Sequence, residues 1–254
     1  MIKSEMNRRT SGGFFVGAFC APWKIRLTAP GGDFKIEVER GGKSMKVLLV
    51  NGSPHQHGCT DRALQEVQAS LVAEGVVADI FWIENKPIAG CLSCGLCAKN
   101  QACVYDDVVN NFINIAKFYD GFVFGSPVYF ASASGQMKAF MDRVFFASNN
   151  AKNGIFDHKP AASVASCRRA GDVAALDQMN KYYGLFHMPV VSASYWPEVH
   201  GHTPAQVEED LEGLRTMRNL GKNMAWLLQC IEAGRREKIA VPTPETGAPT
   251  NFIR

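Results

Sequence analysis

The stretch KVLLVNGSPHQHGCT, Lys46–Thr60, decides the fold that the rest of the sequence can adopt. Its first part, Val47–Val50, is an uninterrupted apolar run, typical of a strand buried on both faces. The turn cluster that follows, Asn51–Gly58, holds two glycines and a proline. Thr60 and Asp61 are good N-cap residues directly before an amphipathic pattern. The stretch therefore predicts a buried strand, a loop and the start of a helix.

Such a loop is a ready-made phosphate site, because the first amides of a helix are unpaired and the helix dipole adds positive charge. Ser53 and Thr60 add hydroxyls, and His55 and His57 add further donors. The loop lacks both the G-x-G-x-x-G pattern of dinucleotide sites and the lysine of nucleoside-triphosphate sites. Neutral donors of this kind suit flavin mononucleotide (FMN). An ordinary strand-to-helix turn is the alternative that the loop alone leaves open.

Apolar strands alternate with amphipathic helices along the chain, which predicts an α/β fold with a parallel sheet. We predict a doubly wound, five-stranded sheet of order 2-1-3-4-5, whose ligands bind beyond the carboxyl ends of strands 1, 3 and 4. Three turn-rich motifs fall at those ends: Asn51–Thr60, Ser126–Phe130 and Ser166–Gly171. The predicted strands are Val47–Val50, Val76–Ile83, Gly121–Gly125, Ala161–Ala165 and Val190–Ser194. The predicted helices begin near Thr60, Asp106, Ser134, Asp172 and Val207, and the last runs unbroken to Ile231.

Composition limits the function classes. The 254 residues, 46% of them apolar, suffice for one large core. Eight basic and four acidic residues lie in 1–44, against nineteen and twenty in the remainder. The main domain thus has no basic surplus, and we expect no nucleic-acid partner. No apolar run approaches the length of a membrane span, so we expect no membrane partner.

Residues 1–44 differ from the rest of the sequence, because glycines and prolines interrupt any periodic pattern. The short apolar run Phe14–Cys20 follows two arginines, but Pro22 and Lys24 end it, and we expect no export signal. A purine-rich ribosome-binding sequence can encode residues 39–43, so we hypothesise that translation starts at Met45. The predicted organisation is an N-terminal extension at 1–44, an FMN-binding domain at 45–234 and an extended tail at 235–254.

The chain resembles the NADPH-dependent FMN reductase family of the flavodoxin-like superfamily over about Met45–Gly234. The matching motifs are GSP-x4-CT at Gly52–Thr60, GSPVY at Gly125–Tyr129 and SGQMKAFMDR at Ser134–Arg143. The resemblance implies a flavodoxin-like fold, FMN as cofactor and two-electron reduction by a reduced nicotinamide. Carried over by position, the resemblance places four residues at the FMN phosphate: Ser53, His55, Cys59 and Thr60. It places four along the isoalloxazine ring: Pro127, Val128, Tyr129 and Phe130. It places Arg168, Arg169 and Gly171 at the other edge of the ring.

Two features of these residues bear on the chemistry. Many relatives have Asn where this chain has Cys59, and a thiol is a poor hydrogen-bond donor. Arg168 and Arg169 are suited to negative charge on a reduced flavin or to the 2′-phosphate of NADPH, unless they are solvated surface residues. Tyr195, Trp196 and His200 border the substrate pocket or, as we favour, form an aromatic patch at a subunit contact.

Eight cysteines include a compact group, Cys91, Cys94, Cys97 and Cys103, with the spacing C-x2-C-x2-C-x5-C. This spacing does not match a secreted disulfide framework and favours a reducing, cytoplasmic compartment. Close thiolates are typical of one side of an iron–sulfur cluster, and here the chain resembles the iron–sulfur flavoproteins. A [4Fe–4S] cluster, free or redox-labile thiols, and zinc remain as alternatives.

Two functions follow from these patterns. The first is an FMN-dependent NAD(P)H oxidoreductase that passes electrons to a quinone, a flavin or a similar small acceptor, with no obligatory acid–base residue. The second is an iron–sulfur flavoprotein that relays single electrons from a ferredoxin-like donor. A flavin-free binding module is the weakest alternative. The resemblance also implies a homo-oligomer, either a dimer or a tetramer.

Overall fold

The computed structural model describes residues 23–28, 35–40, 44–245, 247, 250 and 252. The chain divides into two compact units, residues 1–43 and 44–254. In the first unit, strands β1 (Trp23–Thr28) and β2 (Lys35–Arg40) pair antiparallel, although the sequence indicated no regular structure there. The apolar run Phe14–Cys20 lies outside the described residues.

The second unit is an α/β domain built on a central parallel sheet. Its strands lie in the order β4-β3-β5-β7-β8, and the short β6 pairs antiparallel with β5. In chain order its elements are β3 (Lys46–Asn51), α1 (Cys59–Ala73), β4 (Val77–Trp82), α2 (Cys97–Asn100), α3 (Val108–Ala116), β5 (Gly121–Tyr129), β6 (Ser132–Ala133), α4 (Gly135–Ala151), β7 (Ala161–Cys167), α5 (Asp172–Gly184), β8 (Glu198–His200), α6 (Pro204–Glu209) and α7 (Leu211–Arg236). The parallel strands thus follow the order 2-1-3-4-5, which confirms the predicted flavodoxin-like fold class.

Both faces of the sheet are buried, because successive side chains of each strand point to opposite sides. In β3, Leu48 and Val50 join the apolar cluster under α3, α4 and α5, which is rich in phenylalanine. Val47 and Leu49 join the opposite cluster under α1 and α7. The apolar run at the start of the motif therefore reflects burial on both sides, as the sequence indicated.

Three local predictions were wrong. Helix α1 is capped by Gly58 rather than by Thr60 or Asp61, and Gly58 makes no side-chain cap bond. The Thr60 hydroxyl instead bonds to Ser166 Oγ at 2.7 Å. The predicted last helix is divided at Asp210, whose carboxylate accepts a hydrogen bond from Gly213 N at 2.9 Å and caps α7.

The third wrong prediction concerns the fifth strand, which is β8 rather than Val190–Ser194. Val190 forms only an isolated bridge with Ala161. The chain then turns out of the sheet, because the carbonyl of Ser192 accepts a hydrogen bond from the Asn223 side chain at 2.8 Å instead of pairing with β7.

Among the described residues, no helix is both long enough and apolar enough to cross a membrane.

Candidate cofactor site

The loop between β3 and α1 is held in shape by the buried side chain of Asn51. Its Oδ1 accepts a hydrogen bond from Ser53 N at 3.0 Å, and its Nδ2 donates to Gln56 O at 2.9 Å. Ser53 Oγ in turn accepts a hydrogen bond from His55 N at 3.1 Å. The Trp82 indole donates to Ser53 O at 2.8 Å. The loop is thus fixed from within and from the neighbouring strand, which reduces the entropy lost when it binds a ligand.

Unpaired donors lie at the helix end of this loop. The first hydrogen bond of α1 runs from Arg62 N to Gly58 O at 3.0 Å. Within residues 44–245, the N–H groups of Cys59, Thr60 and Asp61 therefore have no carbonyl partner. Together with the dipole of a 15-residue helix, these groups form an anion site of the kind that binds phosphate.

The first and second loops are joined through a backbone contact that only glycine permits. Gly52 N donates to Gly125 O at 2.8 Å. A Cβ on Gly52 would lie 2.6 Å from Met137 Sδ and 2.7 Å from Gly125 O. The side chain of Ser134, which caps α4, also reaches back toward Gly52 O, at 3.4 Å. The glycine of the first motif is therefore required by close packing of the loops.

The second loop presents exposed aromatic side chains. Strand β5 continues to Tyr129, and the two-residue turn Phe130–Ala131 leads into β6. Both turn residues have positive φ, at 49° and 56°, a conformation that costs energy in residues other than glycine. Tyr129 is 46% exposed and Phe130 is 105% exposed. Phe130 is therefore free to line a planar ligand, and about half of the Tyr129 surface is open as well.

The third loop contacts both of the others. The 2.7 Å bond between Thr60 and Ser166 joins it to the first loop. Gly171, with φ of 96°, is so close to the second loop that a Cβ would lie 2.5 Å from Ala131 Cα. Arg168 and Arg169 are exposed beside it. All three loops therefore meet at one edge of the sheet, where the carboxyl ends of the strands lie.

Among the other predicted site residues, Cys59 and His55 belong to the first loop. Tyr195 and Trp196 were predicted to follow the fifth strand, but they precede β8 and so do not lie at its carboxyl end. Cys59 Sγ donates to Gly201 O at 3.6 Å, and burial raises the pKa of its thiol. His55 is exposed. Tyr195 and Trp196 make an edge-on ring contact at 4.4 Å and are each about half exposed. The thiol of Cys59 is thus directed to a backbone carbonyl.

The four clustered cysteines line one pocket of about 330 Å³, including the open space at its mouth. Cys91 and Cys94 are exposed, Cys97 is buried at the start of α2, and Cys103 is partly buried. Asn110 fixes the chain at Cys103, because its side chain accepts from Cys103 N at 2.8 Å and donates to Cys103 O at 3.0 Å. The structure therefore brings together the four thiols that the spacing predicted.

Arg143 lies at the base of this pocket, with its side chain fully buried. The guanidinium donates to Cys103 Sγ from Nε at 3.3 Å and from Nη2 at 3.2 Å. It also makes a bidentate pair with Asp107, at 2.6 and 3.0 Å. Burial alone would lower the pKa of Arg143, but the bonds to Asp107 and Cys103 outweigh it and raise the pKa above its usual value.

The spacing of the sulfur atoms tests which group the pocket fits. A single tetrahedral zinc ion holds its thiolates about 3.8 Å apart. Within the described part of the chain, no three of these sulfur atoms lie within 4.8 Å of one another. A multi-iron cluster spreads its ligands more widely, because each thiolate binds a different iron. The residues present fit such a cluster better than a single zinc ion.

Sequence reasoning missed Asn51 and Asn110, which act only through backbone contacts. It quoted Arg143 within a motif but gave it no role. The signal for a role was available in the sequence, because Arg143 is a charged residue among the apolar positions of α4.

Comparison with known proteins identifies the family of the chain. The family model described as NADPH-dependent FMN reductase matches residues 45–203. The chain belongs to this family. The family is one of flavodoxin-like, FMN-binding oxidoreductases.

Several curated relatives of this chain are named iron–sulfur flavoproteins. An iron–sulfur flavoprotein of Methanocaldococcus jannaschii is 30% identical over 199 residues, covering 74% of this chain and 100% of that protein. An iron–sulfur flavoprotein of Methanosarcina thermophila is 26% identical over 193 residues, covering 75% and 99%. Among solved structures, a flavodoxin, WrbA-like protein from Agrobacterium tumefaciens has a TM-score of 0.52 at 17% identity and covers 74% of this chain and 99% of its own. That structural likeness supports the fold alone.

Proposed function

We propose that the protein is an FMN-dependent NAD(P)H oxidoreductase that passes electrons to a small acceptor such as a quinone or a free flavin. The observation that carries the proposal is the meeting of three loops at one sheet edge, with unpaired first-turn N–H groups beside exposed aromatic side chains. Bound there, FMN supplies the redox chemistry between a reduced nicotinamide and the acceptor.

Residues of the first loop bind the phosphate in this proposal. The N–H groups of Cys59 and Thr60 donate to it, assisted by the dipole of α1. Ser53 and His55 complete the set. Since the hydroxyl of Thr60 is bonded to Ser166, Thr60 contributes mainly its backbone amide and holds the first loop against the third.

The second and third loops position the ring and the nicotinamide. Pro127, Val128, Tyr129 and Phe130 provide a flat apolar wall, and the backbone amides of this loop donate to the ring edge. Gly171 packs on the second loop, so the third loop approaches the same space. The exposed guanidinium groups of Arg168 and Arg169 bind the 2′-phosphate of NADPH or negative charge at the ring.

Steady-state kinetics test this function. The FMN-loaded protein should oxidise NADH or NADPH when a quinone or free FMN is supplied. The double variant Arg168→Ala/Arg169→Ala should raise KM for NADPH more than for NADH, whereas the exposed Arg215→Ala control should leave both unchanged. Absence of oxidation with every acceptor refutes the oxidoreductase function, and an equal effect on both nicotinamides refutes binding of the 2′-phosphate by the arginines.

A second function, an electron carrier with a [4Fe–4S] cluster, is favoured by the cysteine pocket with its buried arginine. In it, Cys91, Cys94, Cys97 and Cys103 hold the cluster, which supplies one-electron transfer from a ferredoxin-like donor. Anaerobic purification should yield about four irons per chain, and Cys91→Ser should lower this number. The exposed Cys230→Ser is the matched control. An iron-free protein, or iron that Cys91→Ser does not change, contradicts the carrier.

Assembly and compartment complete the proposal. The seven described cysteines are all free thiols, which supports a reducing compartment such as the cytoplasm. The half-exposed pair Tyr195 and Trp196 and the exposed Phe130 support a homo-oligomer. Light scattering of the FMN-loaded protein should give a dimer or a tetramer, and a monomer contradicts this.

A further inference from the structure

A second group of metal-ligating side chains lies outside the cysteine pocket, at the ends of β7, β8 and α5. Cys167 is the last residue of β7, His200 is the last residue of β8, and the two are paired in the sheet register. Asp172 is the first residue of α5. The potential ligand atoms of these three residues all lie within 4.8 Å of one another. We call them the Cys–Asp–His cluster.

The distances within the cluster suit a single ion. Asp172 Oδ2 lies 3.7 Å from Cys167 Sγ and 3.6 Å from His200 Nε2. A zinc ion bound at 2.0 to 2.3 Å holds neighbouring ligand atoms about 3.2 to 3.8 Å apart. The three atoms therefore need to move little. Cys167 is only 5% exposed, whereas the His200 side chain is 43% exposed, so the site is anchored in the sheet and open on one side.

A neighbouring carboxylate orients the imidazole. Asp210 Oδ2 accepts a hydrogen bond from His200 N at 2.7 Å and lies 3.7 Å from His200 Nδ1. This leaves Nε2 directed at Asp172. A metal-binding histidine typically has such a partner on its other ring nitrogen. The main chain is also fixed, since Gly201 N donates to Cys167 O at 2.9 Å.

A second, independent observation points to a cation. Glu198 lies two residues before His200 in β8 and so on the same face of the sheet. Its Oε2 is buried and has no hydrogen-bond partner among the described residues. A buried carboxyl oxygen without a hydrogen-bond partner is unfavourable, and a bound cation would relieve it.

We propose that Cys167, Asp172 and His200 bind one zinc ion, and that Glu198, which is outside the group of atoms within 4.8 Å of one another, turns to become the fourth ligand. One sulfur, one imidazole nitrogen and two carboxylate oxygens form a ligand set that suits zinc, whereas Mg²⁺ and Ca²⁺ take oxygen ligands. On binding, any thiol or carboxyl proton that the ligands carry passes to water. No oxidation or reduction is involved.

The ion would join three elements at the base of the third loop. Cys167 precedes Arg168 and Arg169 directly, and Asp172 follows Gly171. Zinc would thus clamp both ends of this loop and tie it to β8. Its binding depends on no part of the proposed redox function, and the ligands differ from the four cysteines of the pocket.

Zinc content and cobalt spectra of the full chain test the proposal. The double variant Cys91→Ser/Cys94→Ser removes the competing thiolate site. In that background we expect about one zinc per chain after dialysis, a higher melting temperature on addition of zinc, and a thiolate-to-cobalt absorption with Co²⁺. Adding Cys167→Ser should abolish the cobalt absorption.

Replacement of His200, compared with replacement of the exposed His202, provides a matched test. His200→Ala should weaken zinc binding at least tenfold and abolish the thermal shift, whereas the exposed neighbour His202→Ala should change neither. Because the His200 side chain is partly exposed, these variants should fold, and His200→Gln with circular dichroism provides a second check. The proposal is overturned if the Cys91→Ser/Cys94→Ser protein binds no zinc, or if His200→Ala and His200→Gln bind it as tightly as their parent.

Discussion

Replacing Asp107 by alanine should strongly destabilise the domain, because this carboxylate has two structural roles. Its Oδ1 accepts a hydrogen bond from Val109 N at 3.0 Å and caps α3. Both oxygens also pair with Arg143, whose side chain is fully buried. Leaving a buried charge unpaired costs about 3 to 5 kcal/mol, and the lower end applies because the Asp107 side chain is 31% exposed. The lost cap adds about 1 kcal/mol.

The expected total is therefore about 4 kcal/mol, or a fall in melting temperature of about 8 to 16 °C for a domain of this size. Asp107→Asn keeps the cap and one acceptor but loses the charge, so it should cost about half as much. Urea unfolding of the metal-free protein measures both values. The exposed neighbour Asp106→Ala should change stability by less than about 0.5 kcal/mol. A cost below about 1 kcal/mol for Asp107→Ala would show that Arg143 does not depend on this carboxylate, and would refute the reasoning.

Three further perturbations test separate parts of the domain. Burial alone would raise the pKa of Glu66, but hydrogen bonds from Arg218 and Arg62 outweigh it and hold the pKa below its usual 4.5. The ionised Glu66 therefore stabilises the folded state at neutral pH, and this contribution is lost as the pH falls below 4.5. Glu66→Gln should thus cost about 1 kcal/mol at pH 7 and almost nothing near pH 3 in urea unfolding; an equal cost at both contradicts this. Burial raises the pKa of Cys59 above 9.0, so its alkylation, followed by mass spectrometry, should still accelerate above pH 9 and should slow when FMN is added; a plateau below pH 9 argues against it. Gly171→Ala should lower the free energy of unfolding by at least about 2 kcal/mol and weaken FMN binding, because Gly171 has a positive φ and a Cβ there would lie 2.5 Å from the second loop. Gly184→Ala is the control, because a Cβ at Gly184 would meet open space, and it should change neither quantity. Similar stability of both variants would be inconsistent with the packing of the third loop.

The sheet could be predicted from the sequence because its four longest parallel strands are apolar runs bounded by turn residues. Val47–Val50 indicated burial on both faces, and Ser134 indicated a helix start that the structure confirms. The positions of the three loops followed from strand order alone. Loop motifs that stand directly after such strands are therefore predictable without tertiary information.

Features that depend on distant partners could not be predicted. Strand β8 contains Glu198 and His200, which have no strand-like apolar character, and it forms only because Ala165 and Cys167 are available to pair with it. The burial of Arg143 depends on Asp107, which is 36 residues away. Asp210 divides the last helix through a local cap, although the apolar spacing continues across it. In each case the structure is decided by hydrogen bonds, which cannot be inferred from the periodicity of apolar residues in the sequence.

Equilibrium binding of FMN and riboflavin to the full chain tests the central claim most directly, because the two ligands differ only in the phosphate. The account predicts one FMN per chain and at least a tenfold weaker affinity for riboflavin, which corresponds to about 1.4 kcal/mol from charge-assisted bonds to the unpaired N–H groups of α1. Equal affinities, or no binding of either flavin, would contradict a phosphate site at the junction of β3 and α1.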